Sequence, residues 1–194
     1  MADMGIIFLS GQYHDGIMSK DDITAEDVVL IPAFGTAASE LEELKERRAV
    51  IVDTTCGSVV HVWKRVERYA RDGYCSLVHG KFFHEETIAT VSMAGKMGGH
   101  HLVVRNMEQC DWVCEFLRGE IAGEELMNRL PDEAASEGFD PNIHLKKIGV
   151  ANQTTMLASE SLAIAARVGD AIAERDGAES REDAENFRSF DTIC

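Results

Sequence analysis

The sequence predicts an α/β protein whose strands form parallel sheets. Four short apolar runs each end in small or polar residues, and a helical pattern follows each of them; they read VVLIPAFGTAAS, AVIVDTTCGS, CSLVHGKFFHEE and IGVANQTT. This alternation is typical of βα units, which build parallel sheets. Ligands of such sheets bind beyond the carboxyl ends of the strands, so the polar residues after each run form the candidate site.

The stretch 49–58 carries the first candidate residue. Cys56 lies where an apolar run ends and a helical pattern begins. Free backbone N–H groups and the positive end of the helix dipole lie at such a point, and both favour a thiolate over a thiol. A metal ligand and a nucleophile both need the thiolate. Position alone leaves a second interpretation open, in which Cys56 is a small buried residue in a tight turn.

Composition narrows the class of protein. A chain of 194 residues suits one domain, or one domain plus part of another. The net charge of −15 argues against non-specific binding to nucleic acid. No apolar run approaches the ~20 residues that span a membrane, and the first residues lack the pattern of a signal peptide. Five cysteines in such a chain indicate a reducing compartment, so we expect a cytoplasmic protein without disulfides.

Two further groups of metal-binding residue types have simpler interpretations. Cys110 and Cys114 share the apolar stripe of a helix predicted over Met107 to Leu117, so we expect both in the core. His100 and His101 are predicted to form a surface pair at the start of a short strand.

Four motifs occur in an order that is similar to one known family. They are VDTTC at Val52 to Cys56, HGKFFHEET at His79 to Thr87, VANQTTM at Val150 to Met156, and FDTIC at Phe190 to Cys194. Together they resemble the 4-hydroxy-3-methylbut-2-enyl diphosphate reductase family, also called LytB or IspH. The PAFG segment at 32–35 and the form of the second motif resemble the longer, plant and cyanobacterial type.

The resemblance implies a fold of three α/β lobes around a 4Fe–4S cluster that three cysteines hold. Members remove the allylic hydroxyl of 4-hydroxy-3-methylbut-2-enyl diphosphate reductively, in the last step of the non-mevalonate isoprenoid pathway. The chain then corresponds to the end of the first lobe (1–56), the complete central lobe (57–186) and the start of a connection to a third lobe (187–194). We expect such a fragment to be inactive alone.

The resemblance also implies roles for individual residues. Cys56 and Cys194 match two cluster ligands, whereas the Gly-Phe-Cys motif of the third is absent from this sequence. Glu86 matches the acid that delivers protons, and His84 matches a histidine that contacts the diphosphate. Their simpler interpretations are a carboxylate at a helix start and a surface histidine.

Further residues of the same motifs have secondary roles. Thr154 matches a threonine that hydrogen-bonds near the substrate hydroxyl, with Thr155 and Gln153 as second choices; an ordinary N-cap is the alternative for Thr154. We expect His79 to support this site without touching substrate. Phe34 stands where shorter members of the family carry a histidine.

The partners implied by the resemblance are a small diphosphate substrate and ferredoxin or flavodoxin as electron donor, with no nucleic acid and no membrane. Two rival hypotheses remain. One is a non-catalytic α/β remnant or binding module without a cluster. The other is a thiol enzyme in which Cys56 is the nucleophile and His79 or His84 is the base.

Overall fold

The computed structural model of the protein describes residues 5–9 and 18–189. Within these two ranges the chain forms two parallel sheets and seven α-helices, so the predicted α/β class is confirmed. None of the helices in this part of the chain is both long enough and apolar enough to cross a membrane.

The first sheet has two strands, β1 (Val28–Ile31) and β2 (Val50–Asp53), which pair in parallel. Helix α1 (Ala38–Glu46) connects them. Successive side chains of a strand point to opposite faces, and one face packs on Leu44 of α1. The opposite face leaves four aliphatic side chains between 43% and 67% exposed: Val28, Leu30, Val50 and Val52.

The second sheet has the strand order β4-β3-β5-β6, and all of its neighbours are parallel. Its strands are β3 (Cys75–His79), β4 (His101–Val104), β5 (Ile148–Asn152) and β6 (Phe187–Ser189). Every residue of β3 and β5 is buried. Burial on both faces explains why these strands read as nearly continuous apolar runs in the sequence.

Helices cover both faces of the second sheet. Val150 of β5 packs in one cluster with α4 (Met107–Leu117) and α7 (Ala158–Asp176). The next residue, Ala151, points the other way and packs with α2 (Gly57–Arg71) and α3 (Glu85–Lys96). Two short helices, α5 (Gly123–Arg129) and α6 (Pro141–His144), lie between α4 and β5 in the chain.

The cysteines of α4 lie in the first of these clusters. Cys110 and Cys114 are both 0% exposed and pack with residues of α7 and the sheet. The expectation that both are core residues is confirmed.

Strand β6 forms one edge of the second sheet. Phe187 lies opposite Ile148 of β5, and its ring packs against α7 at Gly169, where a Cβ atom would lie only 2.7 Å from a ring carbon. The connection predicted to begin at residue 187 therefore starts as this edge strand. The division of the chain into lobes at 56 and 186 stays a prediction.

The histidine pair at the start of β4 is half-buried, so the predicted surface pair is wrong. The ring of His100 stacks on that of His144, with centroids 3.7 Å apart, and its Nδ1 lies 2.9 Å from the Ser136 hydroxyl. Nδ1 of His101 is buried and has no hydrogen-bond partner in the described ranges. The loop after α5 folds back onto β4 to make these contacts, and a long-range contact leaves no local pattern in the sequence.

The environment of His101 makes the fold sensitive to acid. Burial, followed by the neighbouring His100, lowers the pKa of His101 from 6.5 to about 4. The unfolded chain therefore takes up a proton near pH 6.5 while the folded chain resists protonation down to about pH 4. Above pH 6.5, His101 is neutral in both states and does not lower the free energy of unfolding. As the pH falls from 6.5 to 4, protonation of His101 in the unfolded chain lowers the free energy of unfolding by about 3 kcal/mol in total.

His101→Leu should flatten that pH dependence, because the variant has no group to titrate. Urea unfolding at pH 7, 6, 5 and 4 measures the effect. A residual slope is expected from His79, whose pKa burial also lowers. Replacing the exposed His61 by Asn is the control and should keep the parent slope. An unchanged slope in His101→Leu would show that His101 takes up its proton without unfolding.

Candidate functional site

The candidate site lies at the carboxyl ends of β2, β3 and β5. In the second sheet, β3 and β5 are neighbours, with His79 opposite Asn152. The loops that follow these strands are therefore adjacent. Cys56 follows β2 in the first sheet, three residues after Asp53.

Cys56 is the N-cap residue of α2, and its side chain is exposed. The backbone N–H of Ser58 lowers the pKa of the Cys56 thiol below its ordinary value, and the Ser58 hydroxyl and the N–H of Val59 act in the same direction. The thiol makes no well-formed capping hydrogen bond, so these groups act as nearby oriented dipoles. The predicted interpretation as a thiolate at a helix start agrees with this geometry.

The turn before Cys56 is held by its own side chains. Oδ1 of Asp53 accepts hydrogen bonds from the backbone N–H and the hydroxyl of Thr55, at 2.9 and 2.5 Å. The Thr54 hydroxyl donates to the Ile31 carbonyl at 2.6 Å, and the Cys56 N–H donates to the Ala33 carbonyl at 2.8 Å. The thiol therefore projects from a turn that is hydrogen-bonded to the end of β1 and to the loop after it.

His84 is the N-cap residue of α3. Its Nδ1 accepts a hydrogen bond from the Glu86 N–H at 3.1 Å. A ring nitrogen that accepts carries no proton, so Nε2 is the protonated nitrogen and the donor that remains for a ligand. The ring of Phe34, from the loop after β1, meets the His84 ring edge-on with centroids 6.4 Å apart. Sequence reasoning noted that Phe34 replaces a histidine but missed this contact.

Glu86 is only 2% exposed, although it lies in the first turn of α3. Its Oε1 accepts a hydrogen bond from the backbone N–H of Thr154 at 2.5 Å. This contact joins the loop after β3 to the loop after β5. A surface carboxylate at a helix start would not be held in this way.

Gln153 is 2% exposed and makes the densest set of hydrogen bonds in the site. Its Oε1 accepts from the Lys81 N–H and from the Thr87 hydroxyl, both at 3.1 Å. Its Nε2 donates to the Thr155 hydroxyl at 2.6 Å. Sequence reasoning missed Thr87, although it is the last residue of the HGKFFHEET motif.

His79 is fully buried at the end of β3. Its Nδ1 lies 2.7 Å from the Ser161 hydroxyl, and its Nε2 lies 3.9 Å from the Glu160 carboxylate. Burial lowers the pKa of His79 in spite of the nearby carboxylate, which favours a neutral ring. These contacts agree with a supporting role.

Cys56 and Glu86 lie within electrostatic reach of each other, although they follow strands of different sheets. The Glu86 carboxylate is among the groups that raise the pKa of the Cys56 thiol, against the larger effect of Ser58. No hydrogen bond joins Cys56 to His79 or His84 in the described part of the chain.

The structure thus brings together most of the predicted site residues, namely Cys56, His84, Glu86, Gln153, Thr154 and Thr155. Cys194 lies outside the described residues. Across ranges 5–9 and 18–189, no three side chains of His, Cys, Asp or Glu converge in a way that could hold a metal ion.

A model of the LytB protein family matches residues 1–194, which is the whole chain. The chain belongs to the LytB family. Two curated LytB relatives show the extent of the match. A 4-hydroxy-3-methylbut-2-enyl diphosphate reductase from Rippkaea orientalis is 44% identical over 180 residues, which are 93% of this chain and 43% of the relative. The protein of that name from a Synechococcus strain is 39% identical over 194 residues, which are 100% of this chain and 46% of the relative.

Two solved structures have the same fold. One is an (E)-4-hydroxy-3-methyl-but-2-enyl diphosphate reductase described as the terminal enzyme of the non-mevalonate pathway; it matches with a TM-score of 0.59 and 18% identity, over 100% of this chain and 51% of that chain. The other, a diphosphate reductase from Plasmodium falciparum, matches with a TM-score of 0.60 and 18% identity, over 92% of this chain and 43% of that chain. At this identity the likeness shows the fold alone. The chain spans about half the length of its LytB relatives.

Proposed function

We propose that the full-length protein carrying this chain reduces 4-hydroxy-3-methylbut-2-enyl diphosphate to isopentenyl and dimethylallyl diphosphate. LytB membership supports the reaction class. The observation that carries the proposal is the placement of Glu86, a buried carboxylate held by the Thr154 N–H. The Glu86 backbone N–H donates to Nδ1 of His84, and the Glu86 carboxylate lies within electrostatic reach of the Cys56 thiol.

The residues that would hold the 4Fe–4S cluster are Cys56, Cys194 and a cysteine outside these 194 residues. The properties of Cys56 support its assignment as a cluster ligand, because its thiol is exposed, lies at a helix start and has a lowered pKa. The thiolate is the form that iron–sulfur clusters bind. When bound, the cluster supplies electrons, which we propose come from ferredoxin or flavodoxin in the cytoplasm.

The reaction requires two electrons and two protons for each substrate. One carbon–oxygen bond breaks, one carbon–hydrogen bond forms, and the allylic hydroxyl leaves as water. Glu86 would donate a proton to the departing hydroxyl, since hydroxide is a poor leaving group. The Thr154 backbone N–H donates to Glu86, which supports a role for the neighbouring Thr154 hydroxyl near the substrate hydroxyl, and Thr155 belongs to the same loop.

The diphosphate would be recognised by His84. Nε2 of its ring carries the proton and can donate to a phosphate oxygen, because Nδ1 is occupied by the Glu86 N–H. Phe34 restrains the ring from the other sheet. This arrangement needs a neutral imidazole, since a proton on Nδ1 would oppose the Glu86 N–H.

The experiment compares the full-length protein with the 194-residue chain after anaerobic reconstitution with iron and sulfide. We expect turnover with a chemical reductant from the full-length protein, and only a labile cluster without turnover from the chain alone. Comparable activity of the chain alone would overturn the assignment of a cluster ligand outside it. Turnover without iron that thiol alkylation abolishes would instead favour the thiol enzyme, and a full-length protein without iron or activity would favour the binding module.

A further inference from the structure

We propose that Gln153 is a positioning residue, which sets Glu86 against Thr154 without itself touching substrate. This inference rests on the proposed function, in which Glu86 delivers the proton. It differs from a direct substrate contact by Gln153, the role that the family resemblance implied.

The first argument is that the protein already engages both acceptor sites and one of the two N–H donors of the Gln153 side chain. Its Oε1 has two acceptor sites, and two donors occupy them: the Lys81 N–H and the Thr87 hydroxyl, each at 3.1 Å. Its Nε2 donates to the Thr155 hydroxyl at 2.6 Å, and its backbone N–H donates to the His79 carbonyl at 2.8 Å. At 2% exposure, Gln153 offers little surface to a ligand.

The second argument is the position of these bonds along the two chain segments. Thr87 follows Glu86 on α3, and Gln153 precedes Thr154 in the loop after β5. The Thr87–Gln153 bond and the Glu86–Thr154 bond therefore lie one residue apart on both segments. Loss of the first bond frees the start of α3 to shift against the loop, which displaces the carboxylate.

The third argument is the close approach of the chain at Gly80. A Cβ atom at this position would lie 2.8 Å from the Thr87 hydroxyl and 3.2 Å from the Cβ atom of Gln153. Only glycine leaves the room that this contact needs. The loop after β3 is thus shaped around the Gln153 side chain.

The test uses two variants of the full-length protein, each of which removes one partner of the Thr87–Gln153 hydrogen bond. Thr87→Val deletes one hydroxyl from a side chain that is 0% exposed and cannot reach substrate. Gln153→Met keeps the length of the side chain and removes its amide. Both variants should lower kcat roughly 10- to 100-fold, the cost of a misplacement approaching 1 Å, and should shift the pH profile of kcat while leaving KM unchanged.

Two further variants separate positioning from general damage. Thr87→Ser restores the hydroxyl and should recover most of the rate. Thr90→Val is the matched control, because Thr90 lies almost one turn further along α3, is 1% exposed and has no hydrogen-bond partner for its hydroxyl within the described residues. Its kcat should equal that of the parent protein.

Each outcome decides the question. A raised KM in Gln153→Met with a normal Thr87→Val would overturn the inference and make Gln153 a substrate contact. If Gln153→Met does not fold, Thr87→Val decides alone, and its normal kcat and pH profile would also overturn the inference. A parent protein without reductase activity would contradict the proposed function itself, which is a separate failure.

Discussion

In the full-length protein, Glu86→Gln is expected to lower turnover by roughly 10²- to 10⁴-fold, the usual contribution of a general acid. Glutamine has nearly the same size as glutamate and keeps an oxygen that can accept from the Thr154 N–H. Folding, cluster content and diphosphate binding should therefore survive. What the variant loses is the ionisable proton. Steady-state rates with a chemical reductant measure the loss, and a substrate-induced change in the cluster spectrum reports binding.

His84→Ala is the comparison for this experiment. It removes the Nε2 donor, so substrate binding should weaken before the chemical step does. It also removes the cap of α3, a change that costs roughly 1 kcal/mol of stability. Near-normal turnover in Glu86→Gln would show that the carboxylate only starts a helix, and the proton would have to come through water held by Thr154.

Cys56→Ser in the full-length protein is expected to abolish cluster content and activity together. Serine places a hydroxyl where iron needs a soft thiolate, and iron binds that hydroxyl poorly. The exposed position of Cys56 means that the substitution disturbs little packing. Iron and sulfide analysis, the visible absorption spectrum and turnover should all show the loss.

Cys110→Ala is the matched control, since it removes a thiol from the core and not from the site. It should cost on the order of 1 kcal/mol of stability and leave the iron content unchanged. Equal loss of iron in the two variants would mean that the wrong cysteine has been assigned as a ligand.

The sequence predicted the secondary-structure elements well, because they depend on local patterns. The helix Met107–Leu117 has the predicted bounds. The polar residues after β3 and β5 are adjacent because these parallel strands are neighbours in the second sheet, whereas Cys56 follows β2 of the first sheet. The roles of Cys56, His84, Glu86 and Thr154 remain predictions.

What the sequence could not predict depends on contacts between distant residues. The capping bond to Nδ1 of His84 leaves Nε2 as the ring nitrogen that can donate a hydrogen bond, and no pattern of residue types encodes this bond. The sequence made Gln153 a second choice for a substrate contact, yet two hydrogen bonds from other segments and one within its own loop hold its side-chain amide. The stacking of His100 on His144 joins residues that lie 44 positions apart (144 − 100).

The β1–β2 sheet has one face that the described residues leave exposed, and we expect this face to influence how the chain behaves in solution. Its four aliphatic side chains, Val28, Leu30, Val50 and Val52, attract other apolar surfaces, whereas a net charge of −15 keeps copies of the chain apart. Added salt screens the repulsion over a Debye length of about 10 Å at 0.1 M, and sulfate or phosphate also strengthens the attraction. We therefore expect neutral buffers of low ionic strength to favour dispersed molecules, and sulfate or phosphate to promote contact between these faces.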